Sequence, residues 1–214
     1  ASLALLSDGR FELGIGAGGF WDAIAAMGGR RLAPGESVEA LEEAIRIIRG
    51  VWAVGEAGRL EVNGQHYRVD GAKRGPAPAH DIGVWVGAYK PRILRMTGRV
   101  GDGWLPSLGY FPGGASDLEE LNKHVDDGAE KAGRDPRAIR RLLNIAGRFE
   151  PAGGSALVGP PSQWAEELAE ITLDYGTSGF ILAADDATSI ERFGAEVAPA
   201  VRALVDAERA RRDQ

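Results

Sequence analysis

Two glycine-rich segments, each following an apolar run, carry residue types suited to holding a cofactor. The first is Gly14-Ile15-Gly16-Ala17-Gly18-Gly19, which meets the G-x-G-x-x-G spacing of dinucleotide sites. That fingerprint needs a long helix at once, and then a strand ending in an acid. Here Phe20-Trp21-Asp22-Ala23-Ile24 runs into a loop containing Gly and Arg, and the long helix starts only near Glu36. The dinucleotide reading is therefore disfavoured. Two readings stay open: a closely packed turn, or bare backbone that lets a flat ring approach the strand end.

The second segment is Gly87-Ala88-Tyr89-Lys90-Pro91-Arg92. A buried strand ends in Gly-Ala and a helix begins at Pro91. Free N–H groups and the helix dipole favour an anion at such a start. Lys90, Arg92 and Arg95 crowd this end, where the dipole disfavours cations. A bound phosphate relieves that conflict, and so do long side chains swung into solvent. A third segment, Val158-Gly159-Pro160-Pro161-Ser162, also precedes a helix. Ser162 reads as its N-cap, with Glu166 and Glu167 in the first turn as ordinary capping prefers. A backbone contact from Gly159 is the functional alternative.

Other chemistry is thinly represented. His66, His80 and His124 are scattered and read as lone surface histidines. Asp185-Asp186 follows the last strand and reads as a turn or cap. There are no cysteines, which excludes disulfides, thiolate ligands and thiol nucleophiles. No zinc, Walker or nucleophile-elbow motif occurs, so no metal is expected. The net charge of −6 argues against a nucleic-acid partner. No apolar run approaches the ~20 residues of a membrane span. The opening Ala1–Ser7 lacks the basic flank and apolar length of a signal peptide. A cytoplasmic location is the expectation, with a small molecule rather than nucleic acid or membrane as partner.

Elements that would position these segments alternate along the chain. Strands are expected over 10–16, 82–88, 103–106, 139–149 and 179–184. Helices are expected over 36–52, 91–100, 117–132 and 162–175, with a last one from Thr188 into the charged tail. In the first helix Val38, Leu41, Ile45, Ile48 and Trp52 make one apolar stripe, with Ser37 as N-cap. Asn63-Gly64 between two alternating runs predicts a hairpin. Five strand-then-helix units imply an α/β fold with parallel strands. No composition break divides 1–214, so a single domain is expected. Pattern alone does not separate an open sheet from part of a barrel.

Several segments together resemble the luciferase-like monooxygenase family. They are Leu6-Ser7-Asp8-Gly9-Arg10-Phe11-Glu12-Leu13-Gly14-Ile15-Gly16-Ala17-Gly18, the helix around Leu41-Glu42-Glu43-Ala44, and Gly64-Gln65-His66-Tyr67. Ile82-Gly83-Val84-Trp85-Val86-Gly87-Ala88, Gly101-Asp102-Gly103-Trp104-Leu105-Pro106 and Glu196-Val197-Ala198-Pro199-Ala200-Val201-Arg202 continue the match.

The resemblance implies a TIM-type (β/α) barrel, here incomplete and lacking its first strands, with about five β/α units and an inserted hairpin. It implies an oxidoreductase using FMN or coenzyme F420 for hydride transfer or oxygen activation on a small organic substrate. The reading leans to FMN, on no residue that decides it. Gly87, Ala88, Tyr89, Lys90 and Arg92 match the family's phosphate turn, Gly16, Ala17 and Gly18 the strand end near the ring, and Gly159 the phosphate tail. No catalytic acid or base carries over. A homodimer is implied. A flavin-binding remnant without turnover and an α/β module for phosphate esters are the alternatives.

Overall fold

The computed structural model describes residues 1–212. The chain divides into two compact units, one of Ala1–Trp104 with His124–Ile139, the other of Leu105–Lys123 with the residues from Arg140 onward.

The first unit opens with helix α1 (Ser2–Leu6), strand β1 (Leu13–Gly16), short helix α2 (Trp21–Ala26) and long helix α3 (Pro34–Trp52). Neither α1 nor α2 is expected from the sequence, because both are too short for a periodic signal. α3 starts two residues before the expected Glu36, because Pro34 sits at its first position, where the missing N–H costs nothing. Ser37 is not the N-cap. Ala33 holds that place, and Ser37 lies buried inside the helix with Oγ donating to the Pro34 carbonyl. Glu36 accepts from the Ala33 N–H at 2.9 Å. Within the expected stripe, Leu41 and Ile45 are buried while Val38, Ile48 and Trp52 are half-buried.

Strands β2 (Leu60–Asn63) and β3 (Arg68–Ala72) form the antiparallel hairpin. Its turn is longer than two residues: Asn63 pairs with Arg68, and Gly64–Tyr67 form the loop. Gly50 in α3 makes room for this hairpin, since a Cβ there would stand 2.7 Å from Leu60 Cδ1.

Strand β4 (Val84–Gly87) and helix α4 (Pro91–Val100) fall where the sequence places them, followed by strand β5 (Gly103–Trp104). β4 pairs in parallel with β1 on one side and β5 on the other. Val84, Val86, Leu94 and Met96 are buried, at about 1.5–3 kcal/mol for each large apolar side chain. Helix α5 (Asp117–Lys131) straddles the division between units. In the first unit its second half crosses α4 on two glycines. A Cβ on Gly98 would overlap the Val125 carbonyl oxygen, and one on Gly128 the Arg95 carbonyl oxygen.

In the second unit, strand β6 (Arg140–Ile145) and strand β7 (Arg148–Phe149) replace the single strand expected over 139–149. The break falls at Ala146-Gly147, where Gly147 lets the Leu157 carbonyl and the Trp164 ring approach closer than a Cβ allows. β7 pairs with an unforeseen strand β8 (Val158–Gly159). Leu157, just before it, is buried at φ +54°, a strained conformation for a branched side chain. Helix α6 (Pro161–Tyr175) has Pro160 rather than Ser162 at its N-cap, and Glu166 and Glu167 lie beyond its first turn. Its end at Gly176, φ +72°, is as expected. Strand β9 (Gly179–Leu182) pairs in parallel with β6. Helices α7 (Ala187–Arg192) and α8 (Ala198–Arg212) follow, joined by a wider π-type turn over Phe193–Val197. Asp186 caps α7 by accepting from the Ser189 N–H at 2.7 Å.

Candidate functional site

The β1–β4 register brings the two glycine-rich segments together. Leu13, Gly14, Ile15 and Gly16 stand opposite Val84, Trp85, Val86 and Gly87, so Gly16 and Gly87 are neighbours at the carboxyl ends of parallel strands. This end of an α/β sheet is where ligands bind. Gly16 is exposed, and a Cβ there would meet only the Gly87 oxygen, 3.8 Å away. Ala17 is half-buried, and Gly18 is held at φ +95° beside Trp21.

Beyond Gly87, Ala88 is buried and its carbonyl accepts from Trp104 Nε1 at 2.9 Å. That bond uses a buried tryptophan of β5 to fix the turn leading into α4. Tyr89 is half-buried and Lys90 exposed. Lys90 is the N-cap residue of α4, with no side-chain cap bond, and Pro91 follows at the first position.

The cations near this end divide between neighbours. Arg92 donates to Glu39 of α3 at 2.5 Å, and Arg95 donates to Asp127 of α5 at 2.7 Å. Asp127 is held below the usual carboxylate range by Lys131 and then by Arg95. Arg99 makes a two-pronged bond to Glu42 at 3.1 and 2.6 Å. The charge conflict read from the sequence is thus met in part by carboxylates, while Lys90 and Arg92 both stay exposed.

Gly159 ends β8 in the second unit and is buried. The Gln163 carboxamide occupies the space a Cβ would take at Gly159, and its Oε1 would lie 2.7 Å from a Cβ on Gly153. Gln163 Nε2 donates to Glu167 at 2.7 Å, and Glu167 also accepts from the Leu157 N–H. These bonds pin the loop before β8 to α6.

Sequence reasoning missed the work of Glu43. Its carboxylate accepts from the backbone N–H groups of Gln65, His66 and Tyr67 at 2.7, 3.0 and 3.0 Å. Burial pushes its pKa up, but the three donors outweigh it and hold the group below the usual range. Asp102 likewise accepts from the Val84 N–H at 2.9 Å and from Arg49 at 2.7 Å, fixing the start of β4. The only advance signal was an acid four residues beyond Glu39 on one helix face.

The histidines are not lone surface residues. The His66 side chain is 6% exposed, with Nε2 3.4 Å from Glu39. His80 lies 3.4 Å from Glu12, and His124 lies 3.3 Å from Arg95. Among the described residues no group of acids and histidines could hold a metal, and no helix is long and apolar enough to cross a membrane. A cleft of about 970 Å³ lies between α3 and the hairpin, lined by Arg46, Arg74 and Leu60 among others. Neither strand end lines it.

A family model described as luciferase-like monooxygenase matches residues 1–147. An F420-dependent glucose-6-phosphate dehydrogenase of Gordonia bronchialis is 35% identical over 71% of this chain, and the chain spans 44% of that protein's length. A solved F420-dependent secondary alcohol dehydrogenase, in complex with an F420-acetone adduct, superposes with a TM-score of 0.79 at 17% identity, over 94% of this chain and 72% of its own. A riboflavin lyase, solved with modified FMN and riboflavin, gives a TM-score of 0.78 at 15% identity, over 94% and 65%. These likenesses show the fold, an α/β TIM-type barrel that is incomplete in this chain.

Proposed function

The chain belongs to the luciferase-like monooxygenase family, and from that premise we propose that it is the cofactor-binding part of an oxidoreductase that moves a hydride between a small organic substrate and coenzyme F420. The observation that carries this reading is the pairing of Gly16 with Gly87, two side-chain-free residues at neighbouring strand ends, followed at once by the amino end of α4.

The residues fit a flavin-type cofactor. A planar ring needs backbone without Cβ atoms, which Gly16 and Gly18 provide beside Ala17. A phosphate needs N–H donors and positive charge. The first turn of α4 offers the N–H groups of Arg92 and Ile93, Pro91 having none. Lys90 adds an exposed ammonium and Arg92 a guanidinium, with Gly87, Ala88 and Tyr89 forming the turn itself. When bound, F420 accepts or donates the hydride and FMN can do the same or, reduced, activate oxygen. The protein's part is to bind, orient and exclude water. Two relatives named as F420-dependent dehydrogenases favour F420 and hydride transfer over FMN and oxygen activation. No acid or base in this chain is assigned to the proton.

The test is retention. The protein is incubated separately with F420 and with FMN, desalted, and its absorbance spectrum recorded. Retained F420 is the expected result. Retained FMN would move the proposal to flavin chemistry. Retention of neither would overturn it, and retention without substrate turnover would leave a binding protein.

A further inference from the structure

Arg92 is held by one face of α3 in two ways. Its Nη2 donates to Glu39 Oε1 at 2.5 Å. Its guanidinium also lies over Gly35, where a Cβ would stand only 2.6 Å from Nη1. Gly35 and Glu39 are one helical turn apart, so the same face makes room for the guanidinium and neutralises it. Glu39 has a second partner, His66 Nε2 at 3.4 Å, in the loop that Glu43 clamps. The carboxylate is therefore fixed from two sides, by α4 and by the hairpin. Yet the Arg92 and Glu39 side chains are 58% and 43% exposed, so a dissolved anion can reach the pair.

We infer that Glu39 is the resident counter-ion of Arg92 and sets how much of that guanidinium is offered to an anionic group at the amino end of α4. This rests on the proposed cofactor site and makes Glu39 a positioning residue that acts through Arg92. With Glu39 in place, most of the ion pairing at this turn falls to Lys90. With Glu39 neutral, Arg92 is freed to share it. An exposed pair is weak, so the change is modest but measurable.

The experiment is a double-mutant cycle on the whole chain, reading the Kd for F420 and for FMN in the wild type, Glu39→Gln, Arg92→Ala and the double variant. Glu39→Gln is expected to tighten binding roughly two- to fivefold, the scale of an exposed ion pair. Arg92→Ala is expected to weaken wild-type binding about twofold, since Glu39 already engages part of the guanidinium, and to abolish the gain in the Glu39→Gln background. Unchanged or weaker binding in Glu39→Gln, or a gain that survives Arg92→Ala, overturns the inference.

A second readout needs no cofactor. Inorganic phosphate is titrated while the Arg92 Nε–Hε resonance is followed by NMR. The resonance is expected to move at lower phosphate in Glu39→Gln than in the wild type. An identical response in both, or none in either, overturns the inference. The underlying cofactor reading fails differently: neither F420 nor FMN is retained, while the difference in phosphate response persists.

Discussion

Glu43 shows how a single carboxylate fixes a loop. Three consecutive N–H groups converge on it, so the Gly64–Tyr67 loop is tied to α3 as well as closed by its own Gly64 N–H to Tyr67 carbonyl bond. Replacing it with Gln removes charge-assisted acceptors. With water able to substitute at this exposed loop, Glu43→Gln is expected to cost about 1 kcal/mol, measured by urea denaturation. Its pH dependence has a defined sign. The folded pKa lies below that of the unfolded chain, so the stabilisation is complete above the ordinary carboxylate range. It is lost as pH falls through the depressed folded value. Protection factors of the Gln65, His66 and Tyr67 amides should therefore fall at acid pH in the wild type, and show no such fall in Glu43→Gln. Asp186 obeys the same rule, with its carboxyl held low by the Ser189 N–H. As an N-cap, its replacement by Ala is expected to lower the amide protection of the first turn of α7, measured by hydrogen exchange.

At the scale of elements, glycine spacing decides how helices meet. Gly98 of α4 and Gly128 of α5 bring the two backbones closer than any side chain permits. Gly98→Ala forces α5 away from α4 and is expected to cost roughly 1–3 kcal/mol. Gly109→Ala is the matched control. A Cβ there meets nothing within 4 Å, and the change is expected to stay within about 0.5 kcal/mol. Equal losses in the two variants would remove the packing argument. In the second unit the corresponding device is aromatic. Trp164 lies between Phe149, centroids 4.7 Å apart, and Phe193, 6.3 Å apart, with Arg192 over the Phe149 ring. Gly147 admits the indole to that position.

For the molecule as a whole, apolar exposure is the notable feature. Leu6, Phe20 and Met27 are each about four-fifths exposed, on or beside α1 and α2. Single exposed apolar residues are ordinary, whereas a contiguous apolar patch marks a surface that a partner covers. The homodimer that the family resemblance implies is accordingly proposed. Sedimentation equilibrium should give a mass of twice 22.7 kDa at micromolar concentration. A monomer across that range would count against it, without bearing on cofactor retention.

Local punctuation was legible in the sequence because it acts over a few residues. Pro91 opens α4, Gly176 closes α6 in the left-handed region, and Asp186 caps α7. The alternation of strand and helix, and the hairpin, were legible for the same reason. What escaped depended on partners distant in the chain. The Asn63-Gly64 turn is two residues longer than a tight hairpin turn, and three N–H groups of that loop go to Glu43, far back in the chain. Ser37 and Ser162 lie inside their helices because Pro34 and Pro161 preset earlier starts, with Ala33 and Pro160 at the N-caps. The strand over 139–149 broke because Gly147 meets Leu157 and Trp164. For the candidate site, the sequence alone named both glycine-rich segments and the cations beside them. Only the tertiary structure decided that Gly16 stands next to Gly87, and that Arg92 and Arg95 turn to Glu39 and Asp127. Strand register and ion pairing are chosen by burial and geometry across the whole fold, which spacing along a chain does not encode.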